Sequence, residues 1–417
     1  MQPCRPRLLI FAEAVSLAHV ARAMTLAQSL DPSRYDVQFA CDPRFLSLFG
    51  ELRFPVHAIR SIPSNIFQSR LANGDPLYST AELHQYVQED LRLTGELEPD
   101  LVIGDFRLSL SVSARLSAVP YATVTNAHWS PYCPGKFPVP ELPITERFGP
   151  YWAQRLFDLI RPLVFAQQAY ALNKVRRDYG MPPIGYTLRR TFSDADYTLY
   201  ADLPHLVPTV NPPSNHRYIG PVVWSFETLP WWWSSLRHDV RTAYVTMGTS
   251  GKNDLGRMVA RSLALTGWQV LLATADSQAD TGVEDSIWTA SYLPGTPASK
   301  RADLVVCNGG SATVYQALAA GTPILGIPSN LDQYLMTEHL QRFEAGECIR
   351  AGSATAESVR RSAHRIVESV RYKIKAAELS DKIDEYRTNE KFQACVDHIL
   401  EKHGKRFCES AYSIPVR

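Results

Sequence analysis

The chain has 417 residues, of which 45% are apolar and 20% are charged, and its formal net charge is +1 at pH 7. This length favours about two domains of roughly 100–200 residues each. The balanced charge argues against a protein whose overall field attracts a nucleic acid polymer or an anionic membrane. No apolar run approaches the ~20 residues that cross a bilayer, which leaves a peripheral membrane contact open.

The seven cysteines are scattered, odd in number and without a CxxC pair. This pattern argues against a disulfide framework and against a zinc site, and it fits a reducing cytosol. The first twenty residues contain Glu13 and too little apolar length for a signal peptide, so they are interpreted as a strand and a loop. We therefore expect a cytoplasmic protein without a metal site.

Short apolar runs alternate with helical patterns through the first half of the chain. Strands are predicted at 7–12, 36–41, 99–105, 121–126 and 195–201, and helices at 18–30, 108–117 and 161–180. Residues 127–160 are rich in proline and aromatic residues and are predicted to form loops with at most a short helix. Continuous apolar strands separated by helices indicate a parallel sheet that is covered on both faces.

A stretch dense in proline and tryptophan, 208–239, is predicted to link two domains. Its Trp231, Trp232 and Trp233 either stack on a ligand or, as we expect, pack at the domain junction. Alternation then resumes, with strands at 242–248, 268–274, 287–294, 302–310 and 322–329, helices at 255–266 and 312–320, and closing helices over 355–403.

The predicted fold class is therefore α/β, with two Rossmann-like doubly wound parallel sheets that face each other across a cleft. The N-terminal domain spans 1–207 and the C-terminal domain spans 240–390. The last segment, 391–417, is predicted to hold a helix that returns to the N-terminal domain, followed by a tail. Ligands of open α/β folds bind in the cleft outside the carboxyl ends of the strands.

The most informative segment is "CNGGSATVYQALAAGTPILGIPSNLDQ", which begins at Cys307. Gly309 and Gly310 permit a tight turn and a close approach of the backbone. The helix that follows offers unpaired N–H groups and a partial positive charge at its start. Ser311 and Thr313 add hydroxyl donors. These features predict a phosphate site, although a glycine turn of this kind can also serve packing alone.

Further polar groups follow neighbouring strands at the same carboxyl edge. Asp332 and Gln333 can accept or donate hydrogen bonds to the vicinal hydroxyls of a sugar, while Asp332 has the alternative role of a helix N-cap. Tyr292 and Leu293 offer backbone groups and an apolar face to a nucleobase. Sites for phosphate, hydroxyls and a base together predict a nucleotide sugar as the ligand.

This segment, extended to "VVCNGGSATVYQALAAGTPILGIPSNLDQ", resembles the donor-binding signature of GT-B fold glycosyltransferases. In detail it is similar to the bacterial macrolide and UDP-glucuronosyl/UDP-glucosyl transferase superfamily. The resemblance covers both halves of the chain, and its C-terminal motif is the specific part. It implies a donor diphosphate site formed by Asn308, Gly309, Gly310, Ser311 and Thr313, with Thr246 and Gly248 closing over the phosphates.

One departure from the family pattern concerns Asn308. The family usually has a histidine here that contacts the donor diphosphate. An asparagine side chain donates hydrogen bonds but carries no charge at any pH. We therefore expect weaker diphosphate binding or a changed donor preference.

The resemblance also identifies a catalytic pair in the N-terminal half. His19 begins the helix after the first strand, where inverting members of the family carry a base, and an imidazole can accept a proton near neutral pH. Asp105 ends the strand "VIGD" and matches the usual partner, which orients the ring and stabilises its charged form. Packing or capping roles stay open for both residues. Glu13 is a further candidate for a group that faces the cleft, and His128 and Trp129 are predicted to line the acceptor pocket.

The resemblance implies a metal-independent, inverting hexosyltransferase that needs no cofactor besides its co-substrate. The donor would be a UDP- or dTDP-sugar. The aromatic and polar residues in 60–95 and 127–160, which the resemblance places in acceptor-binding loops, fit a small hydrophobic, hydroxylated acceptor or a lipid.

Two alternatives stay open. One is a GT-B-like sugar-nucleotide epimerase, for which no specific carboxylate pattern is evident. The other is a catalytically silent homologue that binds a ligand or a partner, a reading that Asn308 keeps open.

Overall fold

The computed structural model describes residues 5–225, 228–249, 253–275 and 282–404. Within these residues the first half of the chain forms one sheet of seven strands. They are β1 (Arg7–Ala12), β2 (Asp36–Cys41), β3 (Val56–Ala58), β4 (Leu101–Asp105), β5 (Tyr121–Thr125), β6 (Tyr197–Tyr200) and β7 (His216–Tyr218). Their order is β3-β2-β1-β4-β5-β6-β7, and all neighbours are parallel.

Six α-helices of the first half of the chain accompany this sheet in the described residues. They are α1 (Leu17–Ser29), α2 (Ser64–Asn73), α3 (Thr80–Leu97), α4 (Leu110–Leu116), α5 (Pro143–Asp178) and α6 (Leu188–Ser193). The central strands β1 and β4 are buried on both faces because helices cover both sides of the sheet.

The loop prediction was wrong for part of this half. Helices α2 and α3 occupy most of 60–95, and α5 begins inside 127–160. The prolines were expected to prevent a helix, but Pro143 stands in the first turn of α5, where its missing N–H costs little. Gly149 then interrupts the helix with a φ of 71°.

The second half of the chain repeats the architecture. Among the described residues its strands are β8 (Thr242–Thr246), β9 (Gln269–Ala273), β10 (Gly282–Glu284), β11 (Ile287–Ala290), β12 (Leu304–Cys307), β13 (Ile324–Gly326) and β14 (Gly346–Cys348). Its helices are α7 (Asn253–Ala264), α8 (Gly295–Arg301), α9 (Ser311–Ala319), α10 (Leu331–Phe343), α11 (Ala356–Glu368), α12 (Val370–Tyr386) and α13 (Thr388–His403). The strand order is β10-β11-β9-β8-β12-β13-β14, and the β10–β11 pair alone is antiparallel among these strands.

The two halves pack through a shared apolar core. Tyr200 and Leu203 of the first half lie in one buried cluster with Tyr315 and Met336 of the second. Trp232 is fully buried in the same cluster, and Trp233 packs against it. The expected packing of tryptophan at the junction is therefore confirmed for these two residues. It is wrong for Trp231, whose side chain is 77% exposed.

The N-terminal half of the structure includes two elements that come after residue 207 in the chain. Strand β7 lies within 208–239 yet pairs with β6, so the first sheet extends beyond residue 207. Helix α13 places Phe392 and Val396 in the core around β1 and β2. These contacts make the end of the described chain part of the N-terminal half.

The described cysteines are free thiols. Burial raises the pKa of both Cys41 and Cys307 to about 12, so neither is a ready nucleophile near neutral pH. Among the described residues, helices that combine the length and the apolar character of a membrane span do not occur.

Candidate active site

The predicted pair of His19 and Asp105 forms at the carboxyl edge of the first sheet. Ala12 at the end of β1 pairs with Asp105 at the end of β4, so the start of α1 and the end of β4 meet at one edge. His19 Nδ1 lies 2.8 Å from Asp105 Oδ1. The carboxylate is 1% exposed and the imidazole 23% exposed. Because Nδ1 is engaged, Nε2 on the opposite side of the ring is left for chemistry in the cleft.

A third residue, Arg22, completes this cluster. Its guanidinium donates to both oxygens of Asp105, at 2.6 and 2.8 Å, and to Asn126 Oδ1 at 2.8 Å. Burial acts to raise the pKa of Asp105, but the charge and hydrogen bonds of Arg22 outweigh it, so the pKa stays below its ordinary value. Asp105 is therefore ionised where it faces His19. The sequence carried a signal for Arg22, since residues three apart share one face of a helix.

Backbone strain places an aromatic ring beside the same imidazole. Phe106, directly after Asp105, has a φ of 58°, which is the left-handed region that a bulky residue rarely adopts. Its ring stacks on His19 with a centroid separation of 4.7 Å and an interplanar angle of 9°. Strain of this kind is typical of sites where a side chain must be aimed. Sequence patterns gave no sign of this contact.

Glu13 does not face the cleft, so that expectation was wrong. Its side chain is fully buried and bonds Arg107 Nη1 at 3.1 Å and the Tyr86 hydroxyl at 3.0 Å. Arg107 is equally buried and also binds Asp90. Burial raises the pKa of Glu13 against the opposing charge of Arg107. Glu13 is buried because its carboxylate pairs with the buried Arg107, whose charge would be energetically costly without a partner.

The glycine turn lies where the sequence predicted it, between β12 and α9. Gly309 has a φ of 80°, and a Cβ there would overlap the Thr337 methyl group, so only glycine fits without strain. Ser311 begins α9, and its hydroxyl is buried without a hydrogen-bond partner in the described structure. An unpaired hydroxyl beside the free N–H groups of a helix start fits an anion.

Asn308 is part of the framework of this turn. Its amide N–H donates to the carbonyl of Met247 at 2.7 Å, and its oxygen accepts from the Gly310 N–H at 3.1 Å. The side chain therefore ties the end of β8 to the glycine turn. At the end of β8, Thr246 Oγ1 accepts from the N–H of Gly248 at 3.2 Å. The asparagine thus shapes the turn, a role that the sequence comparison with histidine did not suggest.

Asp332 joins the two halves of the protein. Its Oδ1 lies 2.8 Å from His128 Nε2 and accepts from Trp129 Nε1 at 2.7 Å. Burial acts to raise the pKa of Asp332, but these hydrogen bonds lower it to about 2. The predicted alternative of an N-cap was wrong, because Asn330 caps α10. The carboxylate side chain is still 44% exposed, so it can also meet a ligand.

Of the neighbouring predicted residues, Trp129 and Gln333 line the cavity and His128 does not. His128 is fully buried behind Asp332. Gln333 is 2% exposed, and its Oε1 accepts from the backbone N–H groups of Ser329 and Asn330 at 2.9 and 3.3 Å. Its oxygen therefore forms the capping box of α10. The sequence does not distinguish helix capping from sugar binding here, because a glutamine side chain suits both roles.

One cavity of about 360 Å³ connects these groups. On one side it is lined by Tyr292, Leu293, Ser311, Thr313 and Asp332, and on the other side by His19, Phe67, Leu77, Phe106, Phe157 and Phe165. The first set is mostly polar and comes from the second half of the chain. The second set is mostly aromatic or aliphatic and comes from the first half. Among the described residues, clusters of three or more His, Cys, Asp or Glu side chains suited to a metal ion do not occur.

Two facing Rossmann-like sheets, with a glycine turn and a helix start on one side of the cleft and a His–Asp pair on the other, form the arrangement of a GT-B glycosyltransferase. Comparison with known proteins agrees. Residues 263–396 match the family described as the C-terminal domain of erythromycin biosynthesis protein CIII-like proteins. The chain belongs to this macrolide-type family of GT-B glycosyltransferases, and its close homologues are PGL/p-HBAD biosynthesis glycosyltransferases. The predicted family and fold class are confirmed.

Three curated relatives come from mycobacteria. A PGL/p-HBAD biosynthesis glycosyltransferase of Mycobacterium tuberculosis is 45% identical over 90% of this chain and 88% of its own length. A PGL/p-HBAD biosynthesis rhamnosyltransferase of Mycobacterium bovis is 47% identical over 90% of this chain and 84% of its own. A protein of Mycobacterium bovis named as an inactive PGL/p-HBAD biosynthesis glycosyltransferase is 49% identical over 62% of this chain and 71% of its own.

Solved structures share the fold at lower sequence identity. Spinosyn forosaminyltransferase SpnP superimposes with a TM-score of 0.68 at 15% identity, covering 95% of this chain and all of that one. Spinosyn rhamnosyltransferase SpnG, in its complex with thymidine diphosphate, gives a TM-score of 0.62 at 20% identity, covering 91% and 96%. These likenesses bear on the architecture alone.

Proposed function

We propose that this enzyme transfers a deoxyhexosyl group, of which rhamnosyl is the leading candidate, from a nucleoside diphosphate to a hydroxyl of a phenolic or lipid acceptor, with inversion. The single observation that carries the proposal is the one cavity that contains both the His19–Asp105 pair and the unpaired Ser311 hydroxyl at the start of α9. A pure binding protein has no use for the first of these groups.

The donor would bind against the second half of the chain. Its diphosphate would lie at the glycine turn, where the N–H groups of α9 and the hydroxyls of Ser311 and Thr313 meet negative charge. These groups would also stabilise the diphosphate as it leaves, which is the task a metal ion performs elsewhere. The base would pack near Tyr292 and Leu293, and the sugar hydroxyls would meet Asp332.

The acceptor would bind on the opposite side, with its hydroxyl at His19. Nε2 of the imidazole removes the hydroxyl proton while the oxygen attacks the anomeric carbon. The new C–O bond forms on one face as the bond to the diphosphate oxygen breaks on the other, so the configuration inverts. Asp105 orients the ring and stabilises its charge, and Arg22 keeps Asp105 ionised.

The substrate class rests on two supports. The apolar half of the cavity fits an aromatic or aliphatic acceptor better than a charged one. Relatives at 45–47% identity are named for PGL/p-HBAD biosynthesis, and one of them is named a rhamnosyltransferase. The base of the donor is proposed to be thymine, and the first experiment tests this choice against uracil and guanine.

That experiment is a thermal-unfolding series with dTDP, UDP and GDP, each run both with and without EDTA. A ligand that binds the native state at 100 times its Kd stabilises by about 2.7 kcal/mol, so the cognate nucleotide raises Tm. Ser311→Ala is expected to weaken this nucleotide by about 10- to 100-fold, because a hydrogen bond to a charged group is lost. Ser47→Ala, an exposed serine outside the cavity, is the matched control.

A well-folded sample that shows no shift with any of the three nucleotides would contradict the proposal. The catalytically silent alternative would then take its place. A shift that disappears with EDTA would keep the donor site and overturn its metal independence.

A second prediction concerns Arg22 as a positioning residue. In Arg22→Gln the cation that lowers the pKa of Asp105 is gone, so this pKa rises and the carboxylate takes up a proton at higher pH. The acid limb of the kcat/KM profile should move to higher pH, with a loss of about tenfold at neutral pH. Arg22→Lys keeps the charge and should move the limb less. A uniform loss at every pH would instead indicate a merely structural role.

A further inference from the structure

Helix α5 presents an unusual outer face. Seven of the 17 large apolar side chains that are exposed among the described residues lie on this one helix. Five of the six that follow the break at Gly149 form a stripe, whose members are Trp152 (67% exposed), Leu156 (38%), Leu159 (76%), Leu163 (74%) and Tyr170 (54%). At 100° per residue these positions fall within one narrow arc. From Trp152 to Leu163 the stripe is about 16 Å long.

The helix is therefore apolar on two opposite faces. Phe157, Val164 and Phe165 point to the other side and line the cavity that contains His19. An ordinary surface helix has one apolar face, which packs on the core, and a polar face toward water. The second apolar face of α5 remains open in the part of the chain that the structure describes, and it needs an explanation of its own.

The charges around the stripe indicate what covers it. Arg155 lies beside the stripe with its guanidinium 5.4 Å from the Tyr151 ring centroid, and Arg147, just before the break at Gly149, lies 5.7 Å from that of Phe148. The acid Asp158 is neutralised by Arg161 at 3.5 Å. Leucine and aromatic side chains bordered by arginine are the signature of a helix that lies in the interface of an anionic bilayer.

We propose that the outer face of α5 docks the enzyme on an anionic lipid surface, from which a lipid acceptor enters the cavity. This inference rests on the proposed function, because it takes the acceptor to be a lipid. The apolar tail would then pass beside α5 while the hydroxyl reaches His19. Docking orients the cavity wall toward the bilayer, so the acceptor need not cross water.

The test measures co-sedimentation of the full chain with vesicles of phosphatidylcholine, with and without phosphatidylglycerol. The wild type is expected to bind, and more tightly when phosphatidylglycerol is present. Leu159→Glu with Leu163→Glu should weaken binding by about 100-fold, since two buried leucines are lost and two like charges are added. Leu265→Glu with Val370→Glu is the matched control, as both residues are exposed (83% and 69%) on the other half of the chain.

Three results would overturn the proposal. These are a wild type that does not bind the vesicles, equal loss in the test and control variants, and a dimer in light scattering that the test variant alone dissolves. The last would show that a second copy of the chain covers the stripe.

Transfer assays separate this inference from the proposed function. With a short, water-soluble phenolic acceptor both double variants should match the wild type, because Leu159 and Leu163 lie outside the cavity. With an acceptor embedded in vesicles, the Leu159/Leu163 variant alone should lose activity. If the wild type glycosylates no acceptor yet binds vesicles, the proposed function fails while the lipid-docking face stands.

Discussion

His19→Ala is expected to lower kcat for sugar transfer by about a thousandfold, because a positioned general base contributes 10²–10⁴-fold. Donor binding should be unchanged, since the groups proposed to hold the nucleotide lie on the other side of the cavity. The measurement pairs a steady-state transfer assay with the nucleotide-induced Tm shift. A loss of rate without a loss of the shift assigns His19 to chemistry.

The chain supplies a matched control for this substitution. His84 also pairs with an aspartate, Asp178, at 3.1 Å, but on the surface of α3 and α5. His84→Ala removes a His–Asp pair outside the cavity and should leave kcat unchanged. If His19→Ala retains transfer within about tenfold of the wild type, the base lies elsewhere and the mechanism is wrong.

Asp105→Asn tests the other half of the pair. The amide can no longer stabilise an imidazolium, and in the comparable serine hydrolase arrangement the same change costs about 10⁴-fold. A similar loss is expected here. The double variant with His19→Ala should be little worse than either single variant, because the two residues act as one unit. Additive losses would separate their roles.

Gly309→Ala carries the second of the large expected effects. The φ of 80° is unfavourable for any residue with a Cβ, and that atom would overlap the Thr337 methyl group. Strain and overpacking together should lower the free energy of unfolding by about 2–4 kcal/mol and weaken the nucleotide by about 100-fold, as the turn moves. Denaturant unfolding and the Tm shift measure the two effects separately.

Two further variants sharpen this prediction. Gly310→Ala places its Cβ at an ordinary φ of −66°, with Asn308 Oδ1 at 3.3 Å as its nearest contact, so its stability loss should be smaller. Thr337→Ser removes the methyl group that Gly309→Ala would meet. In the double variant, part of the lost stability should return. If it does not, the strain of the backbone alone accounts for the effect.

Much of this arrangement could be predicted from residue patterns. Apolar runs of five or six residues separated by helical periods indicated two parallel sheets, and this prediction is confirmed. The glycine turn before Ser311 and the pairing of His19 with Asp105 were also accessible. Parallel strands bring their carboxyl ends to a common edge, so residues that follow different strands become neighbours by topology.

The features that the sequence did not predict depend on contacts between distant segments. The contacts of Arg22 and Phe106, and the hydrogen bond between His128 and Asp332, join side chains of distant segments. The residue types alone allow several partners. Glu13 was misplaced because its proper partner, Arg107, is set by burial and not by spacing. Helix α5 was misread because Pro143 stands in its first turn, where proline is tolerated, and because its aromatic residues are divided between two faces of one helix.

The sequence by itself therefore determined the two sheets, the edge where the candidate site residues meet and the chemical types of the main candidates. It did so because strand and helix periods are local and because topology fixes the common edge. Only the tertiary structure determined which side chains contact each other. It joined His128 to Asp332 across 204 positions and left one apolar face of α5 open, since contacts of that range follow from packing and the pairing of buried charge.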